Sequence, residues 1–263
     1  MSILLFAVLC SMLFAMTAAA KSKTVSMKFD GDAYTYTGNQ KSNVTMYHKI
    51  KVSKPSVMLV SAAYDIGGTA KAMPVWLCNS KKKSLERTSK GSSVNAVQFI
   101  NTGTKGMAYY GVKKGTYYIK TKGAANYMIV AALEPMADRG GSSKTRATGI
   151  SRNTPVTGLL PAGESYTAAD WYKFNVNQSR VLSLSLQAVG NGQFQFYLYG
   201  PSYPNGVKLA SMMNKSINCS STLKGSKTKA RVKRGTYYIK VARGTSSAYR
   251  KSSGAYSLKW DLK

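Results

Sequence analysis

Proton-transfer or nucleophilic chemistry would need groups that this chain barely owns. It has one histidine, His48, with three cysteines and nine Asp+Glu among 263 residues. A Ser-His-Asp triad needs its histidine oriented by a carboxylate. His48 instead lies in "MYHKIKV", between Tyr47 and Lys49, which reads as an exposed strand position. No active-site signature flanks Cys78 for a Cys-His pair. Zinc needs three or four converging His, Cys or carboxylate ligands, and the chain has too few. A two-carboxylate glycosidase site is open by number, but Glu86, Glu134 and Glu164 fall in turn or linker contexts. No phosphate loop of the GxxxxGK type occurs. Calcium wants several hard oxygen ligands; Asp30-Gly31-Asp32 is the only local candidate, and two acids there read as a turn. The expectation is a protein that is not an enzyme and holds no metal or cofactor.

Binding chemistry is better supplied. Lys+Arg number 38, for a net charge of +29. The charge is shared: 18 cations against 5 acids over residues 21–136, and 20 against 4 over residues 137–263. A surface of this kind attracts polyanions. The clusters are Lys81-Lys82-Lys83, Lys113-Lys114, and the run "KGSKTKARVKR" with Lys227, Lys229, Arg231, Lys233 and Arg234. Alternation places Lys227, Lys229, Arg231 and Lys233 on one face of an extended segment, where like charges repel unless an anionic polymer meets them. Lysine-rich edges also discourage sheet aggregation, which explains one cluster more easily than a whole charge balance.

These cations must be positioned by strands. "GTYYIK" occurs twice, at Gly115–Lys120 and Gly235–Lys240, after Val112-Lys113-Lys114 and Val232-Lys233-Arg234. Each copy reads as a turn feeding a core strand, its glycine supplying positive φ. Tyr117, Ile119 and Thr121 share one face; Thr116, Tyr118 and Lys120 share the other. Lys120 and Lys240 thus join the candidate polyanion contacts, and Tyr118 and Tyr238 are candidate stacking residues. Leu182, Leu184 and Leu186 alternate with serines, and Phe194, Phe196 and Leu198 with Gln195 and Tyr197. Period-two alternation with Gly, Asn and Ser turns means half-buried antiparallel strands. The fold class is all-β, two tandem β-sandwiches.

The repeat extends beyond the motif. "HKIKVSKPSVMLVSA" (His48–Ala62) aligns with "YKFNVNQSRVLSLSL" (Tyr172–Leu186), and "MPVWLCNS" (Met73–Ser80) with "FQFYLYGPS" (Phe194–Ser202). Preserved order and spacing read as a duplicated domain. Residues 21–136 form the first, 155–263 the second, and 137–154, rich in Gly and Ser, a linker. Residues 1–20 read as an export signal: an apolar run from Ile3 to Met16, then Thr17-Ala18-Ala19-Ala20, though no Lys or Arg precedes the run. Cleavage would leave Cys78 and Cys219, expected as free, mostly buried thiols; a single bridge between them is the alternative.

"DWYKFNV" (Asp170–Val176), "LSLSL", "FYLYGPS", "RGTYYIKV" and "GAYSLKW" (Gly254–Trp260) together resemble the bacterial pre-peptidase C-terminal domain, over about Val156 to Leu262. The first half resembles it more loosely, through "MYHKIKV", "VWLCNS" and "KGTYYIK". The resemblance implies a jelly-roll-like sandwich, non-catalytic, appended to secreted enzymes or surface proteins. The collagen-binding modules of clostridial collagenases look similar, but this chain carries no peptidase and lacks their calcium-binding acidic clusters. The expected function is that of a secreted adhesion protein held electrostatically to an anionic cell-wall or matrix polymer such as teichoic acid or a sulfated glycan. Alternatives are a structural accessory module without a ligand, or a collagen- or polysaccharide-binding module. Nucleic acid is a weaker partner, because no recognised module for it is visible.

Overall fold

A computed structural model describes residues 21–31, 33–41, 43–66, 69–73, 75–85, 106–122, 125–190, 192–212, 215–220, 231–246 and 250–263. Among these residues every regular element is a strand. The first half holds β1 (Lys21–Ser26), β2 (Lys28–Phe29), β3 (Ala33–Gln40), β4 (Val44–Val52), β5 (Ser56–Ile66), β6 (Thr69–Ala72), β7 (Val75–Cys78), β8 (Gly106–Val112), β9 (Gly115–Lys122) and β10 (Ala125–Pro135). The second holds β11 (Thr148–Gly149), β12 (Val156–Leu160), β13 (Ala169–Val176), β14 (Leu182–Gly190), β15 (Phe194–Gly200), β16 (Tyr203–Met212), β17 (Lys215–Ser220), β18 (Gly235–Arg243) and β19 (Gly254–Leu262).

Each half is a pair of sheets. In the first, β1-β4-β9-β7 faces a sheet ordered β2-β3-β10-β5-β6, with β8 also on β5. In the second, β11-β13-β18-β15-β16 faces β12-β19-β14-β17. The antiparallel rows β4-β9-β7 and β13-β18-β15 correspond, as do β3-β10-β5-β8 and β12-β19-β14-β17. Even the parallel edge recurs: β1 lies parallel on β4, and β11 parallel on β13.

Alternation builds both cores. Ile50, Val52, Leu77 and Ile119 from one sheet meet Met58, Val60, Tyr110, Ile129 and Ala131 from the other. Tyr172, Phe174, Leu198, Tyr237 and Ile239 meet Leu184, Leu186, Tyr256, Leu258 and Trp260 in the second half. Apolar area removed from water contributes about 25 cal/mol per Å², so one face of each core strand is committed inward. That fixes the other face, and its side chains, toward solvent.

The two copies of GTYYIK differ at their glycine. Gly235 adopts φ +140°, and a Cβ there would meet Pro201 Cγ at 2.6 Å. Gly115 lies outside the positive-φ region, and its Cβ would touch only Tyr117, at 3.5 Å. Positive φ therefore explains the second glycine and not the first. Gly235→Ala should cost about 1–3 kcal/mol, whereas Gly115→Ala should be neutral or stabilise by up to about 1 kcal/mol. Thermal unfolding of the two variants checks the contrast.

Residues 137–154, expected to connect the halves, are laid along the second sandwich. Gly141 and Trp171 exchange backbone hydrogen bonds of 3.1 and 2.8 Å, and Ile150 N–H donates to Lys173 O at 2.9 Å. Ala147 and Ile150 are buried, and Trp260 Nε1 donates to Ile150 O. The halves also touch. Val57, Leu159 and Ala255 form a small apolar cluster between them. Ala162 N–H donates to Gly111 O at 2.8 Å. Gly111 permits this approach, since a Cβ there would lie 2.6 Å from Gly254 O and 2.9 Å from Leu160 O. Beside the contact is a cleft of about 590 Å³, lined in part by Leu59, Tyr109, Leu133, Met136 and Val189.

Candidate functional site on the outer sheet faces

The outward row of β9 is Thr116, Tyr118, Lys120 and Lys122; that of β18 is Thr236, Tyr238 and Lys240. Register sets their neighbours. Lys120 lies between Tyr47 of β4 and Trp76 of β7. Lys240 lies between Trp171 of β13 and Tyr197 of β15. Tyr118 and Tyr238 each face a lysine on the preceding strand, Lys49 and Lys173. One arrangement of lysine flanked by aromatics, with tyrosine beside lysine, thus occurs at equivalent positions of both halves.

The contacts follow. Lys120 Nζ is 4.8 Å from the centre of the Trp76 ring, and Lys240 Nζ is 5.5 Å from Trp171 and 5.9 Å from Tyr197. Lys208 Nζ is 5.7 Å from Tyr197. Two lysines reach the faces from outside the sheets. Lys82 Nζ sits 5.0 Å from Tyr47 and 5.7 Å from Tyr118. Lys144 Nζ sits 5.3 Å from Tyr199 and 5.0 Å from Tyr238. The negative ring face attracts an ammonium within about 6 Å, worth about 0.5–1 kcal/mol at exposed sites. Tyr47 and Tyr118 meet edge to face, at 6.2 Å and 89°. Burial holds the hydroxyls of Tyr47, Tyr197 and Tyr199 above their ordinary pKa, so they stay proton donors at neutral pH. No carboxylate shares the outward rows of β4, β9, β7, β13, β18 or β15.

Of the residues expected from sequence, Tyr118, Tyr238, Lys120, Lys240 and Lys82 come together in this way. Lys81, Lys83 and Lys114 are exposed beside them in turns. Lys113 is drawn to the junction, where Nζ pairs with Glu164 Oε1 at 3.2 Å. Arg231 and Lys233 are exposed on either side of buried Val232, and Arg231 donates to Ser179 O at 2.9 Å. Arg234 is exposed in the turn before β18. Lys227 and Lys229 lie outside the described residues. Sequence reasoning missed Tyr47, Trp76, Trp171, Tyr197, Tyr199 and Lys144. Alternation along "MYHKIKV", "DWYKFNV" and "FQFYLYG" does carry a signal for Tyr47, Trp171, Tyr197 and Tyr199; nothing local marks Lys144.

His48 corrects the expectation of an exposed strand position. Met46, Ile50 and Val52 define the inner face of β4, and His48 shares their parity. It is fully buried. Nδ1–H donates to Ile119 O at 2.9 Å, leaving Nε2 to accept from Tyr127 O–H at 2.7 Å. Burial pushes its pKa down to about 4. The ring is a neutral core bridge between two sheets. Cys78 is buried and forms no disulfide, as expected, and its thiol donates to Trp76 O at 3.9 Å; Cys219 pairs with Leu184 in the β17–β14 ladder.

Three of the described acids make structural contacts. Asp30 accepts from Ala33 N–H at 3.0 Å in a turn; Asp32 lies outside the described residues. Glu164 also accepts from Arg243, whose side chain is 1% exposed. Asp170 Oδ2 accepts from Tyr256 O–H at 2.6 Å, and Tyr256 meets Tyr172 O–H at 2.7 Å. Burial foremost, then the nearby Asp138 and Glu164, push Asp170 up to about 7 against the opposing Tyr256 hydrogen bond and Arg243.

No family model matches the chain, and no curated protein matches it. Among solved structures, it is similar to the pre-peptidase C-terminal domain of a collagenase from Bacillus anthracis, at 23% identity over 44% of this chain and 94% of that one, with a TM-score of 0.31. It is similar to PliG of Salmonella Typhimurium, a periplasmic inhibitor of g-type lysozyme, at 19% identity over 44% and 99%, TM-score 0.29. It is also similar to the ANXUR1 extracellular domain of Arabidopsis thaliana, at 7% identity over 89% and 82%, TM-score 0.23. These likenesses assign no activity or ligand. No described helix is long and apolar enough to cross a membrane.

Proposed function

We propose that this is an exported, non-enzymatic binding protein, built from two modules of pre-peptidase C-terminal type, that attaches through its outer sheet faces to an anionic polymer of a cell surface or matrix. One observation carries the reading: both halves present the same lysine–aromatic arrangement at equivalent register positions, on faces without carboxylates. Export rests on the apolar start of the sequence. Two linked faces raise avidity through effective concentration, without either being strong alone.

Retention of residues 21–263 on purified cell-wall sacculi, with and without teichoic acid, and on immobilised heparin tests it across a salt series. Retention on at least one of these anionic polymers should fall steeply with salt, because each neutralised anion releases counterions. Lys120→Ala with Lys240→Ala should elute at lower salt. Absence of retention on all of these polymers at low salt would overturn the reading.

A further inference from the structure

We infer that each outer face holds a subsite for an acidic sugar, in which a pyranose ring stacks on the tyrosine pair covered by a loop lysine and that lysine pairs with the sugar's carboxylate or sulfate. The subsites are Tyr47 and Tyr118 under Lys82, and Tyr199 and Tyr238 under Lys144. The polymer taken is then an acidic polysaccharide. This rests on the polyanion reading above and narrows it.

Three observations converge. The first is that the two lysines come from unrelated loops. Lys82 follows β7 in "NSKKKS", and Lys144 precedes β11 in "GGSSKTR". Duplication of the strands does not explain why both loops set an ammonium 5.0–5.7 Å from two rings. The second is backbone strain at Lys82. It adopts φ +60°, a left-handed conformation that suits Gly or Asn. The turn is held by Asn79, whose Oδ1 accepts from the backbone N–H groups of Lys81 and Lys83 at 3.0 Å each. A long cation in that position is the kind of local cost that accompanies function. The third is chemical. The ring faces are electron-rich, and both an ammonium and the polarised C–H face of a sugar are attracted to them. A sugar replacing the ammonium leaves that cation beside the sugar's own acid group.

A polyphosphate has no ring and would leave the aromatic half of each face unused. A nucleic-acid base stacks plane to plane. Tyr47 and Tyr118, at 89°, instead form a corner with one ring face and one edge. A pyranose suits a corner, with C–H groups on its faces and hydroxyls at its rim. Among the described residues, the hydroxyls of Tyr118, Tyr199 and Tyr238 make no hydrogen bond to protein, so they can serve those rim groups.

The test is titration of residues 21–263, at fixed salt, with polygalacturonate, methyl-esterified polygalacturonate, heparin, linear polyphosphate and poly(dT). Polygalacturonate or heparin should bind about tenfold tighter than polyphosphate, and esterification should abolish binding of the former. Tyr118→Leu with Tyr238→Leu keeps every charge; it should weaken polysaccharide binding about tenfold and leave polyphosphate binding unchanged. Lys82→Asn with Lys144→Gln suits the left-handed turn and should weaken binding of the acidic polysaccharides while unfolding stays a single cooperative transition well above the titration temperature. If polyphosphate binds as tightly and the tyrosine variants change nothing, the sugar subsite is overturned while the polyanion reading survives. Tyrosine-dependent preference for poly(dT) would overturn it in favour of single-stranded nucleic acid. If none of these polyanions binds, both readings fall.

Discussion

Asp170→Asn should stabilise the protein at neutral pH, by up to about 4 kcal/mol. In the unfolded chain this carboxyl loses its proton near 3.8; in the fold it holds it to about 7. A raised carboxyl pKa contributes stability that is complete below pH 3.8 and is lost as pH rises to about 7. Above that, the fold carries an ionised carboxylate at the buried end of β13, near Asp138 and Glu164, which raise its pKa further. The gap from 3.8 to about 7, at 1.36 kcal/mol per pH unit, sets the figure. The asparagine is neutral at every pH, and its side-chain oxygen can still accept from Tyr256 O–H. In denaturant unfolding, the stability of the variant relative to the wild type should therefore grow from pH 4 to pH 7, because only the wild type loses this component. A variant less stable than the wild type at pH 8 would sink the assignment, because it would mean that the charged carboxylate is a net asset.

The sequence announced the sandwiches more readily than the faces they display. "LSLSL" and "TYYIK" state their burial by period two, and the inward placement of Tyr117, Ile119 and Thr121 is as expected. The outward placement of Tyr118 and Lys120 comes from the same parity. What surrounds them does not. Trp76 and Tyr47 reach Lys120 through two register pairs, and register depends on strands that are distant in sequence. Lys144 arises from a segment whose Gly and Ser composition suggests a connector. Its attachment depends on two small anchors, Ala147 and Ile150, and on backbone bonds to β13 that composition cannot encode. Asp170 looks like an ordinary strand-initial acid. Its protonation is a consequence of burial beside Tyr256, 86 residues further on. The chemistry of the faces and the titration of the core are both products of pairing, and local pattern is silent about pairing.

The first half should respond to acid in the opposite sense. His48 is held neutral in the core down to about pH 4, while in the unfolded chain it takes a proton near 6.5. Between those values the unfolded state binds more protons, so stability falls as pH drops through this window. The full gap corresponds to about 3 kcal/mol. Burial is the dominant cause; the carbonyl of Ile119, which would favour an imidazolium, opposes it without prevailing. His48→Gln retains one donor for Ile119 O and one acceptor for Tyr127 O–H, and removes the titration. Amide hydrogen exchange can read the halves separately, because opening free energies are resolved residue by residue. On moving from pH 7 to pH 4.5, protection of β4 and β9 should fall in the wild type and hold steady in His48→Gln, once exchange is corrected for its intrinsic pH dependence. Protection of β13 and β18 should rise over the same interval, because Asp170 regains its proton there. Parallel loss in both halves would show that neither buried group governs its own sandwich. Opposite movement would mean that the two sandwiches carry internal titrations of opposite sign, one from a histidine bridging its sheets and one from a carboxyl at a strand end.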